Sequence, residues 1–148
     1  MWTTLKSELV NRFPTQSLNG AANGKPMVAT LEQTASADGW KRCIDNLLEI
    51  RLLEDDWDGQ GTEAPTPELV DSAIILAVLL RQAYLAPPCR TVQSLNGGVI
   101  LEWQWHDQTT FEIEVVEPFV ADVYQLVCGQ PPQHWQVGNS SSAPASAQ

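Results

Sequence analysis

Positive charge is scarce in this sequence, and lysine runs out early. The chain of 148 residues holds 8 Lys and Arg against 18 Asp and Glu, a formal charge of −10 at pH 7, and no lysine follows Lys41. A surface that grips DNA or RNA needs clustered cations to neutralise phosphates, so the composition argues against direct nucleic-acid binding. Long hydrophobic runs are missing as well. The longest, Ala73–Leu80, falls far short of the roughly 18 residues of a membrane span. Met1–Pro14 carries charges throughout and lacks the apolar core of a signal peptide. Cysteine is sparse: Cys43, Cys89 and Cys128 are far apart and form no CxxC pair. That excludes a disulfide scaffold, points to a reducing, cytoplasmic setting, and makes buried, unreactive thiols the expectation. Only His106 and His134 are present, too few and too separated for clustered zinc ligands. There is no GxSxG elbow, P-loop or GxGxxG turn.

What is present is acidity in the middle of the chain. Sixteen of the eighteen acids fall within residues 37–129, and residues 130–148 carry no Lys, Arg, Asp or Glu. Residues 1–36 read as a poorly ordered leader, with one short strand at Met27–Leu31. Residues 37–129 read as an α+β domain. Residues 130–148, rich in Pro, Ser, Ala and Gln, read as a disordered tail. Trp135 is the exception there, expected to fold back onto the domain.

A first helix, capped by Ser36 or Asp38, should run to about Leu53. Trp40, Cys43, Ile44, Leu47, Leu48 and Arg51 recur at spacings of three and four and extend into Ile50, Leu52 and Leu53. Thr66-Pro67-Glu68 starts a second helix with a hydroxyl cap, a proline in the first turn and an acid at the positive end of the dipole. Its apolar residues cover more than half its circumference, so it should be the more deeply buried. Pro87-Pro88 close the segment. The short connection favours antiparallel packing of the two helices.

The connection itself, Glu54-Asp55-Asp56-Trp57-Asp58-Gly59-Gln60-Gly61, invites comparison with a calcium loop. Aligning Gly59 with the invariant EF-hand glycine puts Pro65 where a bidentate glutamate belongs, and the match fails. The better reading is structural: Trp57 plugs the core, Asp58-Gly59 turns the chain, and the remaining carboxylates are solvated.

From Arg90 the period changes to two. Arg90–Ser94, Val99–Trp105, Thr109–Val116 and Phe119–Val127 read as strands. Asn96-Gly97 is a two-residue hairpin signal, His106-Asp107-Gln108 a three-residue loop and Glu117-Pro118 a turn. The fold class follows: α+β, with two antiparallel helices packed on one face of a four-stranded antiparallel meander. Core residues must oppose core residues. This sets Trp103 opposite Phe111, Leu101 opposite Ile113, and Phe111 opposite Val123. On the outer face Glu102 then opposes Glu112, and Glu112 opposes Asp122.

This row of like charges, with Glu114 and Tyr124 beside it, is the candidate site: Glu102, Glu112, Glu114, Asp122 and Tyr124. Like charges directly opposed are destabilising, so a cationic partner would relieve them. The expected function is a non-enzymatic acidic module, antitoxin-like or inhibitory, that engages a basic protein such as a nucleic-acid enzyme or toxin. No catalytic residue, metal ligand or cofactor is assigned, and no oligomeric state follows. The alternative is a metal-dependent hydrolase with Mg²⁺ on Glu102, Glu112 and Asp122, against which stand the missing base and cationic groove. A third reading makes the acidity a matter of solubility alone.

Two motifs, Asp56-Trp57-Asp58-Gly59-Gln60-Gly61 with Pro65, and Asn96-Gly97-Gly98-Val99-Ile100-Leu101-Glu102-Trp103, resemble those of a family of small, uncharacterised bacterial proteins with a WDGxG…P loop and a GGxxLEW strand. Phe111–Val115 resembles the strand that follows in that family. The resemblance covers about residues 45–127. It implies no activity and no functional residues, only a plausible role beside a partner gene.

Overall fold

The computed structural model describes Trp2 and residues 26–138. Helix α1 spans Pro26–Ile50 and α2 spans Pro67–Gln82; strands β1 Arg90–Gln93, β2 Val99–Gln104, β3 Thr110–Glu117, β4 Val120–Leu126 and β5 Gln133–Gly138 follow. The strands form one antiparallel meander in the order β1-β2-β3-β4-β5. The α+β class and the two helices on an antiparallel sheet are as the sequence implied, but the sheet has five strands, not four.

The fifth strand comes from the stretch read as tail. Trp135 and Val137 alternate with His134 and Gln136, a period of two that lies directly behind Pro131-Pro132 and is too short to stand out. Trp135 does fold back: it pairs opposite Val123 and meets the edge of Phe111, ring centroids 6.2 Å apart. The rest of the tail, 139–148, and the leader up to residue 25 apart from Trp2 lie outside the described residues. Trp2 itself is buried. Its indole N–H donates to the Ser72 carbonyl at 2.8 Å and its ring meets Phe119 edge-on.

Met27–Leu31 is helical, not a strand, and α1 begins well before Ser36 or Asp38. Pro26 holds the first helical position, where a missing N–H costs nothing. Val28, Thr30 and Thr34 are middling helix formers, which masked the signal. The helix stops at Ile50, short of Leu53. Its buried stripe is Trp40, Cys43, Leu47 and Ile50, whereas Leu48 (48% exposed) and Leu52 (78% exposed) fall off it. Helix α2 starts as read: Thr66 accepts from the Leu69 N–H at 3.2 Å, and Pro67 is the first helical residue. It buries Leu69, Val70, Ala73, Leu76, Ala77 and Leu80.

Two bonds fix the relative direction of the helices. Arg51, just past the end of α1, pairs with Asp71 in the early part of α2 at 2.7 Å. Trp40, earlier in α1, donates its indole N–H to the Leu85 carbonyl beyond the end of α2 at 2.9 Å. The helices therefore run antiparallel. Their buried faces merge with Val99, Leu101, Trp103, Phe111, Ile113, Val115, Ala121 and Val123 of the sheet into one core. Among the described residues no helix is long and apolar enough to cross a membrane.

The link from α2 to β1 is held at several points. Besides the Trp40 bond, Trp103 donates its indole N–H to the Ala86 carbonyl at 2.8 Å, and the Cys89 N–H donates to the Glu102 carbonyl at 2.8 Å. Gly39 lets α1 approach this link, since a Cβ there would stand 2.4 Å from Pro87 Cγ. A proline ring on a pinned segment has little room to give. Gly39→Ala should therefore destabilise the protein. Overpacking of about 1–3 kcal/mol outweighs the gain of about 1 kcal/mol in helix propensity. Urea denaturation measures this, and an unchanged or raised midpoint would contradict the close packing.

Candidate functional site

The register of the meander decides which acids meet. Trp103 opposes Phe111, Leu101 opposes Ile113 and Glu102 opposes Glu112, as the alternation required. The next pair is different: Val123 opposes Ile113, not Phe111, which faces Gln125. The turn from β3 to β4 is Pro118-Phe119, one residue later than the Glu117-Pro118 expected. Glu117 pairs with Val120, the register shifts between Val115 and Glu117, and Phe119 takes a φ of +63°. The slip is two residues, an even number, so every side chain keeps its face. The continuous row Glu102–Glu112–Asp122 does not exist. Glu112 opposes Tyr124, and Asp122 opposes Glu114.

The outer face thus carries two parallel rows. One reads Arg90, Glu102, Glu112, Tyr124, His134; the other reads Val92, Ile100, Glu114, Asp122, Gln136. All five of the sequence-assigned residues share this face, and like charges oppose twice, at Glu102–Glu112 and at Glu114–Asp122. The cross-strand neighbours crowd one another, leaving the side chains of Glu102 and Asp122 only 17% and 22% exposed.

Partners at the two edges temper this charge, and the sequence reading missed them. Arg90 Nη1 lies 3.8 Å from Glu102 Oε1, a loose pair. At the other edge Gln136 donates to Asp122 Oδ1 at 3.2 Å, and His134 Nε2 stands 3.4 Å from the same oxygen. The His134 imidazole also stacks on the Tyr124 ring, centroids 4.6 Å apart. His134 was read as part of the tail, and only recognising β5 would have brought it here.

The centre keeps its excess. Glu112 and Glu114 form no ion pair among the described residues. Burial, and then the charges of Glu102 and Glu114, push the Glu112 carboxyl above its ordinary value, with Arg90 pulling weakly the other way. Burial and the neighbouring acids Asp122, Glu114 and Glu112 likewise raise the Tyr124 phenol. Among the described residues no three His, Cys, Asp or Glu side chains converge to hold a metal ion.

The acidic loop works differently. Asp56 Oδ1 accepts from the Gly61 N–H at 2.6 Å, Asp58 Oδ1 from the Gln60 N–H at 2.9 Å, and Asp55 Oδ1 from the Ala64 N–H at 3.0 Å. The Thr62 hydroxyl donates to Asp58 Oδ2. That bond, followed by the Gln60 N–H, holds the Asp58 carboxyl below its ordinary value. These carboxylates tie down the loop's own backbone, which includes Asp56, Gly59 and Gly61 at positive φ, and are not simply solvated. Trp57 is half-buried and outside the core, not the plug expected; among the described residues its buried indole N–H has no hydrogen-bond partner.

Further expectations need correction. Asn96-Gly97 sits in a three-residue loop, Leu95-Asn96-Gly97, closed by the Ser94 N–H to Gly98 carbonyl bond at 2.9 Å. Cys43 is buried, but Cys89 and Cys128 are exposed.

The two motifs that suggested a bacterial family are mostly structural. The Asp-rich loop organises itself, Gly98 fits against the Val115 carbonyl where a Cβ would stand 2.5 Å away, and Trp103 pins Ala86. Of the glutamate-tryptophan pair only Glu102 faces outward. Compared with family models, curated proteins and solved structures, the chain matches none, so that resemblance rests on the motif residues alone.

Linkage gives a test of the crowded face. A carboxyl raised in the folded state favours folding below its unfolded value, and that contribution is lost as pH rises through the folded value. Glu112→Gln removes the loss. The variant should exceed wild type at neutral pH by roughly 0.2–1 kcal/mol, with the advantage vanishing as pH falls below the ordinary carboxylate range. Urea denaturation at the two pH values reads this, and a variant less stable than wild type at neutral pH would contradict the repulsion.

Proposed function

We propose that this chain is an acidic protein-binding module whose outer sheet face docks a basic protein surface. The observation that carries the reading is the pair of opposed carboxylates, Glu102–Glu112 and Glu114–Asp122, left on the face away from both described helices. The face holds four carboxylates against one arginine, and Ile100, Val120 and Tyr124 lie half-buried among them. Acid mixed with apolar and aromatic surface suits a protein interface, where a hydrophobic centre supplies area and charge supplies orientation and encounter rate. A net charge of −10 steers cationic partners over a longer range. Nucleic-acid enzymes and many toxins present basic grooves, so an antitoxin-like or inhibitory role is the form of the proposal.

The raised Glu112 carboxyl adds a signature. A partner cation favours the ionised form, so docking drives proton release, and affinity should climb as pH rises through the interval above the ordinary carboxylate value.

Affinity purification of the wild-type chain from its host, beside a Glu102→Gln, Glu112→Gln, Glu114→Gln variant, tests the proposal. Wild type should retain a basic protein that elutes with rising salt, and the variant should lose it. An equal yield from both, or a bound protein with an acidic surface, would overturn the reading.

A further inference from the structure

The meander has two outermost strands, and their free sides are guarded differently. A strand at the end of a sheet turns alternate backbone N–H and C=O groups outward, where another chain can pair with them. Stable monomers blunt such edges with short strands, charge, proline, bulges or a covering element. Strand β1 carries these devices. It is four residues long, follows Pro87-Pro88 and begins at Arg90. Its start is irregular, since the Glu102 carbonyl accepts from the Cys89 N–H although the residue opposite Glu102 is Arg90. Helix α1 packs against it, and Asn46 and Ile50 of α1 share a cavity wall with Thr91 and Gln93.

Strand β5 lacks the first four devices. Gln133–Gly138 is six residues long and holds no Lys, Arg, Asp, Glu or Pro. It pairs with β4 at six consecutive positions without a register shift. Among the described residues no strand lies on its far side, and Gln133, His134 and Gln136 are exposed.

Charge decides what suits this edge. Two copies of a chain with net charge −10 repel wherever their acids meet, and residues 130–138 bring none. A neutral strand gives a cationic partner nothing to pair with and does not repel its own copy. The outer-face carboxylate on the neighbouring strand is Asp122, which accepts from Gln136 and lies 3.4 Å from His134 Nε2. With β5 paired to β5 of a second copy, the two Asp122 residues stand three strand spacings apart, roughly 14 Å. That exceeds the screening length of roughly 8 Å at physiological salt.

We propose that β5 is a self-association edge, through which two copies pair β5 to β5 antiparallel about a two-fold axis normal to the sheet. The contact is isologous and closes at two copies. Side chains keep their faces only if residues of like parity oppose, which centres the pairing on Trp135 or on Gln136. Both acidic outer faces then lie on the same side of one continuous sheet.

Sedimentation equilibrium of the full chain over a concentration series, with amide hydrogen exchange at both ends of the series, tests this. Wild type should pass from one chain to two. The amides of 133–138 should gain protection with concentration, and those of 90–93 should not. A His134→Lys, Gln136→Lys variant puts two lysines on each exposed edge beside Asp122, with folding read by circular dichroism. Across the two-fold the lysines meet their own copies, so dimerisation should weaken roughly tenfold or more. A wild type that stays a single chain throughout, a dimer that protects 90–93 instead, or a folded variant that associates as tightly as wild type would overturn the proposal.

Discussion

The arrangement of this molecule depends on how the seven residues between α2 and β1 are held. Trp40 from the helical layer and Trp103 from the sheet each donate an indole N–H to this link, at the Leu85 and Ala86 carbonyls. Both donors belong to buried rings that could not otherwise satisfy their polar edge. The two bonds tie helix and sheet to one stretch of backbone. The Cys89 N–H to Glu102 carbonyl bond then starts the β1–β2 pairing. From there the meander propagates strand by strand, and with it the identity of every residue on the outer face. Arg90 is placed by the same link, which is why it stands beside Glu102 at the end of one outer row.

Two kinds of acidic residue emerge, and they had the same appearance in the sequence. The acids of residues 54–58 looked the more suggestive cluster, yet three of the aspartates accept hydrogen bonds from their own loop. Their negative charge is matched by local donors and needs no partner. The sheet acids are dispersed in sequence and converge only through pairing. Glu112, with Glu102 across from it and Glu114 two residues on, meets like charge rather than donors. Repulsion of that sort weakens the free protein slightly, and a cationic partner would convert it into binding energy.

Much of the fold was legible because its period was clean. Alternation along Val99–Trp105 and Phe111–Val115 fixed both faces and the β2–β3 register, and Thr66-Pro67-Glu68 announced α2. Where the reading went astray, local signals were weak or overridden. Pro26 marks the start of α1, but the residues after it have no strong helical preference. Val115–Phe119 hides a register shift that composition does not disclose, and it moved Asp122 from Glu112 to Glu114. Face membership survived because the slip was even, so all five assigned site residues remained together. Arg90, His134 and Gln136 were invisible as site residues because their place depends on the edges of the sheet. An edge is known only once the strands are counted.

The central claim is that the outer sheet face, and not the acidic loop, is the working surface. Zero-length carbodiimide coupling of a captured complex, read by mass spectrometry, joins carboxylates directly to a partner's lysines. The account predicts cross-links at Glu102, Glu112, Glu114 or Asp122, with the loop acids Glu54–Asp58 unlinked. Cross-links confined to the loop, with the sheet acids unmodified by the partner, would contradict it.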